Sequence, residues 1–373
     1  MNGFIKLIIF IFIFLPGLFL YPQDTSLKPI PYISLEKFQD GIHHWALFSK
    51  IRKYDKLDTA DVFGIANNLL AYQNIDGGWP KNIDWLAKLN ADSVKMSLSV
   101  RYRSSTFDNN NIFPQIEYLS KVYYYTGIEK YRSATVKGFQ YILDNQHKNG
   151  GWKGSDVDAI TFNDNVMTGV MDILLDIVNG RKYYAWIDKK LKQQLSEAFN
   201  LALSATLKCQ IEVNGIRTAW CQQHDNNTYQ PVKARSYELP SITSRESTDI
   251  VLFLMRINNP GDSVVLAVEN AVRWLEKSKI SGYNYARVKI PEVKYHETRV
   301  DYDQVFVPDS TAKPVWARYY NIETNTPFLC KRDGVVVYTL SEISFERRVG
   351  YAWYGYWPEA VYREYSKWKE KTK

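Results

Sequence analysis

Cysteine is scarce: Cys209, Cys221 and Cys330 are the only three in 373 residues. An odd number cannot all pair, so at most one bridge forms, with Cys209 and Cys221 the nearest pair in sequence. No C-x-x-C spacing exists, which removes the usual structural zinc and redox dithiol arrangements, and the three thiols read as small buried hydrophobes. Zinc-finger and basic-zipper patterns are missing as well. The formal net charge of +7 attracts anionic partners in general, among them nucleic acid, anionic lipid and acidic polysaccharide. Without a recognition motif, nucleic acid is not an expected partner. The basic residues are scattered except for Lys367, Lys369, Lys371 and Lys373, a run expected to be a solvated, frayed terminus. Strand signals are few, confined to Tyr283 to Ile290 and Gly334 to Leu340.

The apolar run from Leu7 to Leu20 is short for a membrane span. With Lys6 before it and Gln23-Asp24-Thr25-Ser26 after it, it reads as a signal peptide over residues 1–23, the alternative being an uncleaved anchor. No Cys follows directly, so a lipoprotein is not expected. The implied location is secreted or periplasmic, with no membrane contact after cleavage. Residues 24–373 are expected to form one domain, as a monomer. What the chain has in abundance is aromatic surface: 27 Tyr, 17 Phe and 11 Trp. A large aromatic core and a cleft for sugar rings, whose apolar faces pack on Trp and Tyr, both account for that.

Helical periodicity runs through most of the chain. Helices are expected over about 34–52, 59–73, from Pro114 onward, 129–146, 165–178, 187–208, 242–257 and 263–277. The stretch 291–325, interrupted by Pro308 and Pro314, reads as ordered loops. An internal repeat stands out. Gln73-Asn74-Ile75-Asp76-Gly77-Gly78-Trp79 recurs as Gln146-His147-Lys148-Asn149-Gly150-Gly151-Trp152, with a looser copy from Gln210 through Gly215 to Trp220. Each follows a helix, and the Gly-Gly step permits a left-handed turn that folds the Trp back onto the helix end. Repeated helical hairpins predict an all-α fold, an α/α toroid with long loops and a few short strands. Trp79 and Trp152 are therefore architectural rather than catalytic.

Four polar clusters interrupt the apolar sequence. Thr106-Phe107-Asp108-Asn109-Asn110-Asn111 precedes one helix and Thr161-Phe162-Asn163-Asp164-Asn165 another. Simple N-capping accounts for either alone; together their carboxylate and amide oxygens suit a hard cation such as calcium. The third cluster, Ala234 to Ser241 with Ser244 to Ser247, reads as surface ion pairs. In the fourth, Trp316 to Tyr320 and Lys331 to Gly334, Arg beside aromatics either stacks or grips carboxylates with its planar fork.

Across these clusters the sequence resembles the family 10 pectate lyases, from about Asp58 to Trp357. The likeness rests on seven motifs in order: I-D-G-G-W-P-K-N at Ile75, T-F-D-N at Thr106, T-F-N-D-N at Thr161, A-R-S-Y-E-L-P-S at Ala234, W-A-R-Y-Y-N-I-E-T-N at Trp316, R-D-G at Arg332 and E-R-R-x-G-Y-x-W-Y-G at Glu346. The run after Asn109, Asn110-Asn111-Ile112-Phe113, is bulkier than the resemblance leads one to expect. The resemblance implies an α/α toroid that cleaves polygalacturonate by calcium-assisted β-elimination. It implies Arg235 as the base, Asp108 in the acidic cluster near the scissile bond, Asp164 and Asn109 as calcium ligands, and Arg318 and Arg332 as readers of uronate carboxylates. Three other readings compete: a polyuronate-binding protein without catalysis, a glycoside hydrolase using Asp108 and Asp164, and a terpene cyclase. The last shares the G-G-W repeat but needs a D-D-x-x-D or D-x-D-D motif, and neither occurs.

Overall fold

The computed structural model describes residues 30–372; the apolar leader segment lies outside them. Twelve α-helices are present among the described residues: α1 (Gln39–Phe48), α2 (Val62–Tyr72), α3 (Ala91–Ser97), α4 (Val100–Arg103), α5 (Phe113–Thr126), α6 (Glu129–Asp144), α7 (Val166–Val178), α8 (Lys189–Lys208), α9 (Ser244–Leu254), α10 (Asp262–Lys277), α11 (Phe345–Gly350) and α12 (Pro358–Lys371). Except for α12, the periodicity located the longer ones to within a few residues.

These helices form two series. Sequence neighbours α5 and α6, α7 and α8, and α9 and α10 pack as pairs. Within one series α2, α5, α7 and α9 touch in succession; within the other α6, α8 and α10 do. The first series is the more deeply buried, and α7 is covered on nearly every side. This is why its sequence is apolar all round whereas α8 and α10 are amphipathic.

The repeated motif ties the series together. Trp79, Trp152 and Trp220 are fully buried, and each indole N–H donates to a carbonyl near the end of the preceding helix: Leu69 at 2.7 Å, Ile142 at 2.9 Å and Thr206 at 2.7 Å. Trp316 repeats the bond to Leu275 at 2.8 Å. The Gln of each copy donates both to its own turn and to a helix of the second series. Gln73 reaches Gly77 and Ala134, Gln146 reaches Gly150 and Ala198, and Gln210 reaches Thr218 and Ala267. The helix-end carbonyls left over by helix geometry are thereby satisfied away from water.

Strands are mostly two-residue pairings: β1 (Ile160–Thr161) with β4 (Gln223–His224), β2 (Glu212–Val213) with β3 (Ile216–Arg217), and β8 (Trp316–Ala317) with β12 (Tyr354–Gly355). A four-stranded sheet runs in the order β11 (Val336–Val337), β10 (Pro327–Cys330), β9 (Tyr319–Tyr320), β5 (Ile242–Thr243). The exception corrects the expectation of loops over 291–325. There β6 (Tyr283–Tyr295) and β7 (Thr298–Pro308) form one long antiparallel hairpin. Pro291 is tolerated because the register shifts between Lys289 and Val293 and the ribbon has no third strand to feed. The C-terminal basic run is likewise not frayed. Val361 and Trp368 are buried and anchor α12 against α9, so helix persists to Lys371. All three cysteines are free and buried, with no bridge between Cys209 and Cys221.

Two glycines separate strain from crowding. Gly150 has φ +97° and a Cβ there would run into the Leu201 carbonyl of α8, whereas Gly215, at φ +75°, faces open space. Gly215→Ala should therefore cost about 1–2 kcal/mol from the left-handed backbone alone. Gly150→Ala should cost clearly more, because helix and turn must separate. Urea unfolding of both variants checks this; equal losses would rule out the close approach as the reason for glycine.

Candidate functional site

The two acidic-amide clusters do not cap their helices. The residue before α5 is Ile112, at φ 79°, and that before α7 is Asn165, at φ 56°; neither makes a side-chain cap bond. Asn109, Asn110 and Asp164 also lie at positive φ, with values of 57°, 51° and 52°. Backbone in this region is costly, above all for a β-branched residue such as Ile112, and it persists only where the surroundings enforce it. The enforcement is mutual. Asn110 donates its backbone N–H to the Asp164 carbonyl at 3.3 Å, and Asn165 donates its amide to Asn110 Oδ1 at 2.9 Å. Two turns far apart in sequence thus become one polar surface.

On one side of that surface lies a buried ion pair. The Lys81 ammonium bonds Asp108, and Ser155 Oγ accepts from Lys81 at 2.8 Å and donates to Asp108 Oδ2 at 2.7 Å. Each partner's side chain is only 7% exposed. Burial alone would raise the Asp108 pKa; the charge and hydrogen bond of Lys81, helped by Ser155 and Arg235, outweigh it and hold the carboxyl below its usual range. Asn109 is positioned by Asn82, whose Oδ1 accepts its amide at 2.6 Å.

Asp164 has the opposite environment. Burial, then the charges of Asp108 and Asp40, push its pKa up to about 8, against the pull of Arg235 and Arg318. Asp40, from α1, accepts from Asn110 at 3.3 Å and faces His44 at 3.3 Å. Asp40 and Asp164, with Asn110, Asn165, Arg245 and Glu246, line a cavity of about 390 Å³. Asp40 is compensated by His44, whereas Asp164 keeps the raised pKa of a carboxylate that a hard cation could stabilise. No set of three or more His, Cys, Asp or Glu among the described residues converges on one point. Asn109 does not line this cavity; it lies beside it on the turn joined to Asp164 through Asn110.

The predicted arginines gather around two tyrosine rings. The guanidinium carbons of Arg235, Arg347 and Arg332 stand 5.1, 3.9 and 5.9 Å from the Tyr237 ring centre. Those of Arg318 and Arg347 stand 4.5 and 4.3 Å from Tyr351. Their settings differ. Arg318 is deep: its side chain is 8% exposed, paired with buried Glu246 and bonded to Asn163 Oδ1 at 2.9 Å. It supports the Asp164 turn from behind rather than facing a ligand directly. Arg235 forks onto Glu238, with Nε 2.9 Å from Oε2 and Nη2 on Oε1. Burial opposes its charge, but that bond and the charge of Glu238 raise its pKa well beyond the ordinary value, so Arg235 stands as a fixed cation. Arg332 is 57% exposed, and its partner Glu346, at 2.6 Å, is itself on the surface.

Sequence reasoning named six site residues, and the structure brings them to one region. It missed Lys81, Asn82, Tyr237, Glu238, Glu246, Arg347 and Tyr351, although every one but Glu246 sits inside a quoted motif. Asp40 precedes the region of resemblance and carried no signal.

Removing Lys81 tests the electrostatics. Lys81→Met leaves Asp108 as a buried, uncompensated carboxylate and should cost about 3–5 kcal/mol near neutral pH. A depressed pKa contributes stability that is present above the unfolded value and lost as pH falls through the folded value. The gap between wild type and variant should therefore close as pH drops below about 4, where the carboxyl is protonated even in the unfolded chain. Denaturant melts across pH measure it; a gap independent of pH would mean Lys81 acts by packing alone.

The chain is similar to known proteins over most of its length. A family model described as pectic acid lyase matches residues 73–362. No match is found among curated proteins. Among solved structures, a family 10 polysaccharide lyase from Cellvibrio cellulosa has a TM-score of 0.69 at 29% identity, covering 82% of this chain and 92% of that one. A mutant family 10 polysaccharide lyase from the same organism, in complex with trigalaturonic acid, has a TM-score of 0.68 at 26% identity, covering 90% and 99%. With the family match extending over most of its length, the chain belongs to the pectic acid lyase family.

Proposed function

We propose that this lyase cleaves α-1,4-linked polygalacturonate by calcium-assisted β-elimination, releasing 4,5-unsaturated oligogalacturonates. The observation that carries the proposal is the meeting of the Asn109–Asn110 and Asp164–Asn165 turns in one surface, within the field of Arg235 and Arg318. The solved relative in complex with trigalaturonic acid supports the substrate class. The succession of inner and outer helices supports reading the fold as an α/α toroid. A polymeric substrate and the apolar leader support a secreted or periplasmic location, and among the described residues no helix is long and apolar enough to cross a membrane.

Elimination removes the C5 proton of a galacturonate beside its carboxylate. The electrons of that C–H bond form the C4–C5 double bond as the C4–O bond breaks. The obstacle is negative charge building on a group already anionic. Asp164 and Asn109 would hold calcium, which supplies a divalent charge at that carboxylate. Arg235, fixed in place by Glu238, adds a second permanent charge where the dianion develops. Asp108, kept ionised by Lys81, sits at the same surface and offers its oxygens to sugar hydroxyls. Arg332 can exchange the exposed Glu346 for a uronate carboxylate, since a surface pair is weakly held.

The resemblance assigns the base to Arg235, but its fork onto buried Glu238 opposes loss of a proton. Arg332 is no readier to give up its proton, since the hydrogen bond and charge of Glu346 raise its pKa as well. Arg235→Lys keeps a cation but loses the fork and should turn over poorly; near-normal turnover in the folded variant would remove Arg235 from the role of base.

Purified protein should generate ultraviolet-absorbing product from polygalacturonate, and chelation should stop it. Hydrolytic products without a double bond would overturn the lyase chemistry, and activity surviving thorough metal removal would overturn the role of calcium. Heavily methylated pectin should be a poor substrate. Arg332→Ala should lose about one to two orders of magnitude on polygalacturonate, the worth of one charge-assisted bond, and far less on the ester.

Because the Asp164 pKa is raised to about 8, the folded protein retains a proton there that the unfolded chain has lost, and this lowers stability as pH rises from about 4 towards 8. A cation must displace that proton. Apparent calcium affinity should therefore rise with pH and level off above about 8, and Asp164→Asn should abolish the dependence. Isothermal titration across pH decides it; an affinity unchanged between pH 6 and 8 would exclude Asp164 as a ligand.

A further inference from the structure

The β6–β7 hairpin pairs with no other strand, yet its strands of 13 and 11 residues give it a reach of roughly 40 Å. Its root is fixed where Phe306 stacks between Tyr283 and Tyr354 at 4.9 and 4.1 Å. Midway, Asp303 takes the Arg348 guanidinium of α11. Its tip goes elsewhere. The Glu297 N–H donates to the Leu47 carbonyl of α1 at 3.1 Å, and the His296 ring lies 4.6 Å from Phe48. On its other side His296 Nε2 is 3.8 Å from Glu346, the carboxylate that holds Arg332. Tyr295 is buried with its hydroxyl against Gly350.

These contacts join two walls of the site. The first turn of α1 carries Asp40, which lines the cavity containing Asp164; its last turn carries Leu47 and Phe48. Through His296 the tip also touches Glu346, the partner of Arg332. At the Phe48 end a backbone hydrogen bond and a ring contact bridge the hairpin to α1.

We infer that the hairpin tip closes one end of the groove, so that this lyase works from chain ends and releases short products of uniform length rather than cutting at random. The inference rests on the polygalacturonate reading above and extends it to the mode of attack. No new chemical step is involved: the same elimination occurs, but a polymer can extend from only one side of the scissile bond.

The experiment compares wild type with a tip-shortened variant in which residues 290–301 are replaced by Asn-Gly. Lys289 and Tyr302 face each other in register, so a two-residue turn can join them. Wild type should give one dominant short unsaturated oligomer from the first moments, with little loss of viscosity per bond cut. The shortened variant should give a ladder of lengths and at least a threefold greater viscosity loss per unit of absorbance. Separately, wild-type affinity for oligogalacturonates should stop rising after a few units, whereas that of the variant should continue to rise. If the shortened protein does not fold, the Phe48→Ala, His296→Ala double variant takes its place, with the same shift expected in smaller degree. A ladder of products or continued gain in affinity with length for wild type overturns the inference, as does a variant with an unchanged product pattern. Failure of the lyase reading looks different: no absorbing product appears from either protein.

Discussion

Charge removed from water must be compensated within reach, and this governs the site. Lys81 with Asp108 and Arg318 with Glu246 are pairs whose side chains are almost wholly buried. Arg235 leans on Glu238, which is buried as well. Breaking any such pair leaves an isolated charge in a poor solvent, which is far costlier than losing a surface contact. The compensation also fixes geometry. A guanidinium forked onto a carboxylate and laid over an aromatic ring has little freedom left. Tyr237 and Tyr351 hold four arginines in this way. Asp164 is the exception: its Oδ2 accepts from the Asn163 amide, but burial and the charges of Asp108 and Asp40 outweigh Arg235 and Arg318 and raise its pKa.

The scaffold makes such a surface possible by satisfying its own backbone. Each Trp of the repeat covers a helix-end carbonyl, and each Gln joins its turn to a helix of the α6, α8, α10 series. The Trp79 carbonyl accepts from Asn111 and the Trp152 carbonyl from the Thr161 N–H, so the repeat also braces the segments that carry Asn109, Asn110, Asp164 and Asn165 at positive φ. The polar turns belong to the site because the apolar core does not release them.

Legibility followed the range of the interaction. Helices were readable because the 3.6-residue period is local, and the repeat because its glycines and tryptophans answer one another within each copy. The first strand of the β6–β7 hairpin was readable up to Ile290, but its end and β7 were misread as loops because Pro291 breaks the local pattern, while the pairing that rescues them lies across the ribbon. The C-terminal helix was misread because its lysines dominate composition, whereas burial of Trp368 and Val361 decides its conformation. Capping was the simplest account of the Asp-Asn runs, and it failed because what holds them is each other.

The amino-acid sequence by itself determined the family and most of the helices, and it pointed to six polar residues that lie in one region, since all of these are carried by short ordered motifs or local periodicity. Tertiary structure alone decided what those residues do for one another. Lys81 sits 27 residues from Asp108, Glu246 sits 72 from Arg318, and Asn110 sits 55 from Asn165. It also decided that Asp40, outside every motif, adds to the field at Asp164, and that a hairpin tip spans from Glu346 to Phe48. The physical reason is that electrostatic strength depends on distance and burial, and neither is a property of neighbouring positions along the chain.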